Sequence, residues 1–272
     1  MLSFVKFGGS VITDKTRPDT PNLPTIRRLA ADLHTAQRAN PDLRIILGHG
    51  GGSFGHAAAE RYGVHHGISG AQGWMGFAHT AAAVQRLSRI IGDELLLAGV
   101  PAFVIQPSAT LLSTRRQIVA WDTQTVCAAL GRGLLPVVHG DVAFDTEQQC
   151  TVISTEQLLC ALLATAMPQP ARIILVGESG IYTADPRANP QAQRIPRIDA
   201  QNIAAVLQLA GASHGADVTG GMRSKVELMW RLATAHPGIS IHLIGTAPGL
   251  LTRALQGAAA DEGTLITSGT PA

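Results

Sequence analysis

The chain has 272 residues, 46% of them hydrophobic and 15% charged, and its formal net charge is +2. That length and apolar content suit one large α/β domain or two closely joined lobes, not a disordered chain, and a charge of +2 without a basic tract gives nucleic-acid binding no electrostatic footing. The longest apolar run, 158–167, is too short to span a bilayer, and Met1 leads directly into a strand-like segment, so neither a membrane partner nor a signal peptide is expected.

Cys127, Cys150 and Cys160 are odd in number and lack C-x-x-C spacing, which fits reduced, buried thiols in a cytoplasmic protein. The ten histidines show no H-x-x-x-H spacing, so no protein-held metal is expected.

The segment 2–7 (LSFVKF) reads as a buried strand followed by a Gly8-Gly9-Ser10 turn. Lys6 is out of place in it: an ammonium at the end of an apolar strand is costly unless it emerges beside an anion, which the Gly8 and Gly9 amides would also serve. Lys15 follows in the loop and, taken singly, reads as a solvated residue. Composition argues otherwise, because only Lys6, Lys15 and Lys225 are lysines among 21 basic residues, and each lies beside a glycine-rich or Ser/Thr-rich turn. Phosphoryl transfer needs compact, flexible cations that follow moving negative charge.

Ile26, Leu29, Ala30, Leu33 and Ala36 fall at helical spacing with Arg27, Arg28 and Asp32 on the opposite face, predicting an amphipathic helix over 24–40. The run 43–47 is then a buried parallel strand ending in HGGGSFGH, 49–56. Gly50, Gly51 and Gly52 can turn their amides toward one anion, and a helix beginning near Ser53 adds its positive end, so the stretch reads as a phosphate cradle with His56 one turn into the helix. Gly50, Gly52 and Gly55 also match G-x-G-x-x-G, but no acidic residue follows between Arg61 and Gly92 to hold a ribose, which counts against a dinucleotide site.

A loop rich in Gly and His is expected over 62–73 and a long helix over 74–97, with Val84, Leu87, Ile91 and Leu95 on one face. Trp74 and Phe77, with Met75, either line a pocket for an apolar substrate tail or pack in the core. A strand at 102–105, a hairpin at 111–121 with Arg115 and Arg116 at its tip, a helix at 122–130 and a strand at 134–138 follow. That last strand ends at His139-Gly140-Asp141, where an open parallel sheet places ligands. Asp141 is either an organising group for a lysine or substrate, or a turn former. A second hairpin spans 144–152 around Asp145-Thr146. Ser154 or Thr155 then caps a helix from whose first turn Glu156 can reach inward. The strand 172–176 ends at Gly177-Glu178-Ser179-Gly180, and Tyr182 beyond it suits a nucleotide base or ribose, or simple packing. The polar glycine turn DVTGGMRSK, 217–225, enters an amphipathic helix carrying Lys225, and strands at 239–244 and 264–267 close the sheet.

Together these residues resemble the amino acid kinase superfamily, and within it the isopentenyl phosphate kinases, over nearly the whole chain. The correspondence runs through Lys6-Phe7-Gly8-Gly9-Ser10 with Lys15, HGGGSFGH, QPSA at 106–109, GDV at 140–142, the Ile153-Ser154 turn, IYTADP and DVTGGM; the first glycine motif alone is shared widely in that superfamily, whereas His56 in HGGGSFGH, with DVTGGM later, is much more specific. The resemblance implies an open, mainly parallel central sheet sandwiched by helices with β-hairpin excursions, in one domain. Roughly 1–165 would form a substrate-binding lobe and 166–272 a nucleotide-binding lobe. It implies transfer of the ATP γ-phosphoryl group to isopentenyl phosphate with Mg²⁺ held mainly by the nucleotide phosphates, in a cytoplasmic homodimer.

Carried onto this chain, Lys6, Gly8, Gly9 and Ser10 would hold nucleotide phosphates and Lys15 the transferring group. Gly51 and His56 would hold the substrate phosphate, with Gly140, Trp74 and Phe77 also on the substrate side. Gly52, Gly177, Tyr182, Gly221 and Lys225 would face the nucleotide, and Asp141 and Glu156 would be organising carboxylates. No general base is needed, because the acceptor phosphate is already an anionic nucleophile. Two departures stand out: Thr155-Glu156 where the family usually has Gly-Asp, and a 177–180 turn without the usual pair of aspartates. A fosfomycin-kinase-like enzyme resembles the same pattern, and a non-catalytic nucleotide or metabolite sensor could share the fold.

Overall fold

The computed structural model describes residues 1–64, 67–165, 167–186, 188–212, 221–259 and 261–269. In chain order its elements begin β1 (Leu2–Phe7), α1 (Gly9–Ile12), α2 (Leu23–Ala39), β2 (Arg44–His49), α3 (Gly52–Tyr62), α4 (Gly70–Leu97) and β3 (Ala102–Val104). The hairpin β4 (Leu111–Thr114) and β5 (Gln117–Trp121), α5 (Gln124–Gly131), β6 (Leu135–His139) and the hairpin β7 (Asp141–Asp145) and β8 (Gln149–Ile153) follow. The remainder is α6 (Thr155–Leu163), β9 (Arg172–Val176), β10 (Ile181–Tyr182), β11 (Arg194–Ile195), β12 (Arg197–Ile198), α7 (Ile203–Ala212), α8 (Gly221–Ala235), β13 (Ser240–Ile244), α9 (Leu250–Gln256) and β14 (Thr264–Ile266).

An eight-stranded sheet runs β12-β14-β13-β9-β1-β2-β6-β3, parallel throughout except where β13 meets β14, so the α/β expectation holds. The hairpin excursions pair with each other as a four-stranded sheet β5-β4-β7-β8. Strand periodicity divides the core in two. Val5 and Phe7 of β1 pack with Leu29, Leu33, Leu87 and Leu250 on one side, while Leu2 and Phe4 pack with Leu158, Leu162, Val226 and Met229 on the other. Lys6 shares the parity of Leu2 and Phe4, which turns its stem toward the side that α6 and α8 cover.

Three expectations need correction. Asp32, placed on the solvent face of α2, is 8% exposed, because its carboxylate accepts the Gly249 N–H at the start of α9; a helix far along the chain claims it. Helix α4 starts at Gly70 instead of Trp74, so the loop after α3 is shorter than predicted; the αL glycines Gly63 and Gly70 bracket it. Of the three thiols only Cys150 is buried, with Cys127 and Cys160 half-buried. Within DVTGGM, 217–220 lies outside the described residues.

The arginine tip of the first hairpin is held by the second. Arg115 and Arg116 adopt φ of 49° and 64°, a pair of left-handed residues that a two-residue hairpin needs and that Asn-Gly usually supplies. Asp145 offsets the cost: its carboxylate accepts the N–H groups of Arg115 and Arg116 at 3.3 and 2.9 Å, those of Glu147 and Gln148 at 3.0 and 3.1 Å, and the Ser113 hydroxyl at 3.0 Å. Burial pushes this carboxyl up, but the Arg116, Gln148 and Glu147 amides and Ser113 outweigh it and hold it down at about 2. A carboxyl titrating near 3.9 when unfolded therefore contributes stability above about pH 4 that is lost as pH falls toward 2. Asp145→Ala is expected to cost about 2 kcal/mol at pH 7 and to flatten the loss of stability between pH 5 and 2, as read by urea unfolding at each pH.

Candidate active site

Adjacent strands β9, β1, β2 and β6 end side by side, each running into a glycine. The glycines continue the sheet ladder by one bond each: Gly177 N–H to Ile244 O at 2.8 Å, Gly8 N–H to Val176 O at 2.7 Å, Gly50 N–H to Phe7 O at 3.0 Å, and Gly140 N–H to His49 O at 3.1 Å. Four turns separated by up to 169 positions in sequence thus stand in one row at the carboxyl edge of a parallel sheet, where such sheets take ligands.

The two central turns touch. A side-chain carbon on Gly9 would lie 2.5 Å from the Gly52 nitrogen, and Gly52, at φ +50°, has no room for one beside Thr13. Thr13 locks this contact, donating to Gly9 O at 2.7 Å and accepting the Ser53 N–H at 3.0 Å. Anions bound to the two turns would therefore be close neighbours.

On the α6 side, Lys6 forms an ion pair with Glu156, whose side chains are 13% and 8% exposed. Burial pushes the Glu156 carboxyl up, but Lys6, with Lys225 beyond it, outweighs burial and holds the carboxyl below its usual range. Glu156 stays in the first turn of α6 because Ser154 and Gln157 form a capping box, so the cap is Ser154, not Thr155. Lys225 comes from the second turn of α8, which Gly221 opens. The structure thus brings Lys6, Lys225 and Glu156 together. Lys15 is exposed on a different wall, in a cleft of about 580 Å³ shared with Ser10, Thr13, Asn22 and Glu178.

His56 is exposed, and its Nδ1 meets the Gly52 carbonyl at 2.8 Å. A carbonyl only accepts, so Nδ1 carries the proton and the ring is folded back toward the glycine turn with Nε2 outermost. Trp74 and Phe77 form an aromatic trio with Phe144 of β7, ring centroids 4.9 to 5.7 Å apart, while Met75 is exposed. Phe144 was missed, although its alternation with the buried Val142 would have put it on the α4 side of its strand.

Asp141 opens β7 and is not a turn former. Its carboxylate accepts the Ser108 N–H at 3.2 Å and the Val142 N–H at 2.9 Å and lies 4.0 Å from His139 Nδ1, so it anchors the QPSA segment instead of facing the lysine that Glu156 holds. Burial pushes the Asp141 carboxyl up and the His139 imidazole down. Tyr182 is half-buried, with its hydroxyl 2.8 Å from Ser179 Oγ above the Gly177 turn. Thr155 carries a contact that sequence reasoning missed: its hydroxyl donates to His49 O at 2.6 Å and accepts the Gly140 N–H at 3.0 Å, and its methyl fills the space over Gly48.

The model of the amino acid kinase family matches residues 1–245. The chain is 32% identical to the isopentenyl phosphate kinase of Methanothermobacter thermautotrophicus over 94% of its own length and 96% of that relative, and 30% identical to that of Methanocaldococcus jannaschii over 84% and 86%. An X-ray structure of isopentenyl phosphate kinase superposes with a TM-score of 0.78 at 28% identity, covering 98% of this chain and all of that one. A UMP kinase of Bacillus anthracis shares the fold alone, with a TM-score of 0.62 at 15% identity, 99% of this chain and 96% of that one being covered. The chain belongs to the amino acid kinase family.

Proposed function

We propose that the chain catalyses transfer of the γ-phosphoryl group of ATP to isopentenyl phosphate, giving isopentenyl diphosphate and ADP. The observation that supports the reading best is the contact between the Gly8-Gly9 and Gly50-Gly52 turns; in this reading the donor and acceptor anions lie against each other there, with Lys6, Lys15 and His56 as their partners. An oxygen of the acceptor phosphate attacks Pγ, the bond from Pγ to the β,γ-bridging oxygen breaks, and ADP carries the electron pair away. Gly8, Gly9 and Ser10 supply donors to the nucleotide phosphates, with Lys6 and Lys225 steadied by Glu156, and Lys15 follows the charge in flight. Gly51 and His56 grip the acceptor phosphate, Gly140 borders it, and Gly52 faces the nucleotide. Gly177, Tyr182 and Gly221 lie on the base side, so 1–165 works chiefly as the acceptor lobe and 166–272 as the nucleotide lobe. Asp141 supports the acceptor side through Ser108.

Among the described residues no group of three or more His, Cys, Asp and Glu side chains is gathered for a metal. In this reading Mg²⁺ accompanies the ATP phosphates. No helix among the described residues is long and apolar enough to cross a membrane, and the reading places the enzyme in the cytoplasm. For the homodimer, the edge strand β3 and the end of α4 offer apolar surface: Phe103, Val104, Leu96 and Leu97 are all exposed, Leu97 by 80%. Light scattering on the purified protein is expected to give twice the 28.4 kDa chain mass.

The trio of Trp74, Phe77 and Phe144 favours an apolar tail on the acceptor. A coupled ADP-release assay across alkyl and prenyl monophosphates and fosfomycin is expected to give the highest kcat/KM with isopentenyl phosphate. Faster turnover of fosfomycin would make this a phosphonate kinase, and ATP binding without turnover on any acceptor would make it a sensor.

A further inference from the structure

Two peptide planes lead from β2 into the acceptor turn, and buried side chains hold the carbonyl of each. The His49 carbonyl is taken by Thr155 and Gly140 as described. The Gly50 carbonyl faces His49 Nδ1 at 3.0 Å. Since a carbonyl can only accept, Nδ1 bears the hydrogen; Nε2 is then bare and accepts from the Ser88 hydroxyl of α4 at 2.6 Å. His49 and Ser88 are 0% and 1% exposed, and the His49 ring stacks on His139 with centroids 5.4 Å apart. Burial, with the neighbouring His139, pushes the His49 pKa down to about 3, so the ring is neutral and this tautomer persists at any working pH.

A trans peptide is planar, with its N–H opposed to its C=O, so fixing the Gly50 carbonyl fixes the direction of the Gly51 N–H. Gly51 is the N-cap of α3, and the first amides of a helix have no partner within it. The Ser53 N–H is spent on Thr13, and those of Phe54 and Gly55 on the Gly51 carbonyl, which leaves the Gly51 amide, with that of Gly52 after it, for a ligand.

We infer that His49 is a positioning residue of the acceptor site: its Nδ1–H clamps the Gly50 carbonyl and so aims the Gly51 amide at the acceptor phosphate, while Ser88 keeps the ring in the required tautomer. This rests on the reading above that the acceptor phosphate sits on Gly51. Ser88 lies on the helix that also carries Trp74 and Phe77, so one buried imidazole joins the element beside the substrate tail to the amide that receives its phosphate.

The test compares His49→Gln, whose amide extends toward Ser88 and away from Gly50, with His49→Asn, whose amide nitrogen takes the place of Nδ1. In His49→Gln the acceptor KM is expected to rise about tenfold, the effect of one misaimed buried hydrogen bond, while the ATP KM stays within about twofold. His49→Asn should recover most of the acceptor KM, and Ser88→Ala should fall between wild type and His49→Gln. An unchanged acceptor KM in His49→Gln, an equal rise in both KM values, or no advantage of Asn over Gln would overturn the assignment. Should both His49 variants fail to fold, Ser88→Ala decides alone: a raised acceptor KM with an unchanged ATP KM supports the clamp, and wild-type constants refute it. The Gly51 amide resonance of ¹⁵N-labelled wild type, titrated with inorganic phosphate, separates this inference from the function. A Gly51 shift that His49→Gln abolishes, in a protein that does not turn over isopentenyl phosphate, would sink the proposed substrate and keep the clamp. Normal turnover with no Gly51 response would do the reverse.

Discussion

Lys15→Ala is expected to lower kcat about 10²- to 10³-fold, the loss seen when one preorganised donor to a developing charge is removed, while the ATP KM stays within about threefold. The split follows from where the three lysines stand. Lys6 is ion-paired with the buried Glu156, and Lys225 is near enough for its charge to help hold that carboxyl down. Lys15 instead projects over the cleft it shares with Ser10 from a loop whose backbone is tied down around it. Asp14 accepts the Thr16 N–H at 2.8 Å and the Thr16 hydroxyl at 2.7 Å, and its own N–H reaches Thr20 O at 2.9 Å. A side chain free at its tip but anchored at its base can follow the phosphoryl group from donor to acceptor, which contributes to the transition state more than to the bound nucleotide. Lys15→Arg should recover little, because a planar guanidinium does not replace a compact ammonium as the charge moves. A loss of ATP affinity with unchanged kcat would place Lys15 in nucleotide binding alone.

The parts of this site that could be read from sequence are those made by short segments. The strands 2–7 and 172–176 are found at their predicted bounds, because a buried parallel strand is a continuous apolar run with a glycine stop. The glycine turns, the arginine-tipped hairpin and the inward reach of Glu156 were legible for the same reason. What escaped depends on neighbours distant in the chain. Asp32 looks like surface until α9, more than 200 positions later, presents its first amides to it. His49 looks like part of a glycine motif until β6 lies beside β2 and α4 brings Ser88 underneath. The exchange of Gly-Asp for Thr155-Glu156 reads as a local departure, yet in the fold the Thr155 hydroxyl bridges the ends of β2 and β6 while the longer carboxylate still reaches Lys6. A pattern of residue types identifies an anion site; which buried groups aim it is decided by strand order.

His56→Ala is expected to remove most activity, about 10²-fold or more in kcat/KM for the phosphate acceptor, with ATP binding retained. The imidazole is one turn into α3 and folds back so that Nδ1 bonds the Gly52 carbonyl, which leaves Nε2 at the exposed end of the ring. There it can donate to a phosphate oxygen in its protonated form, and the helix N-terminus beneath it favours the same anion. Because Nδ1 is already committed, the substitution that best separates the two nitrogens is glutamine, whose terminal amide extends to the position of Nε2. His56→Gln should therefore recover part of the acceptor kcat/KM, whereas His56→Asn, which reaches only as far as Nδ1, should resemble alanine. In the proposed reading the Gly52 turn faces the nucleotide, so losing the Nδ1 bond should also loosen that turn and raise the ATP KM slightly, by about twofold. Wild-type constants in His56→Ala would show that the ring faces no substrate, and a loss confined to ATP binding would move it to the nucleotide side of the row.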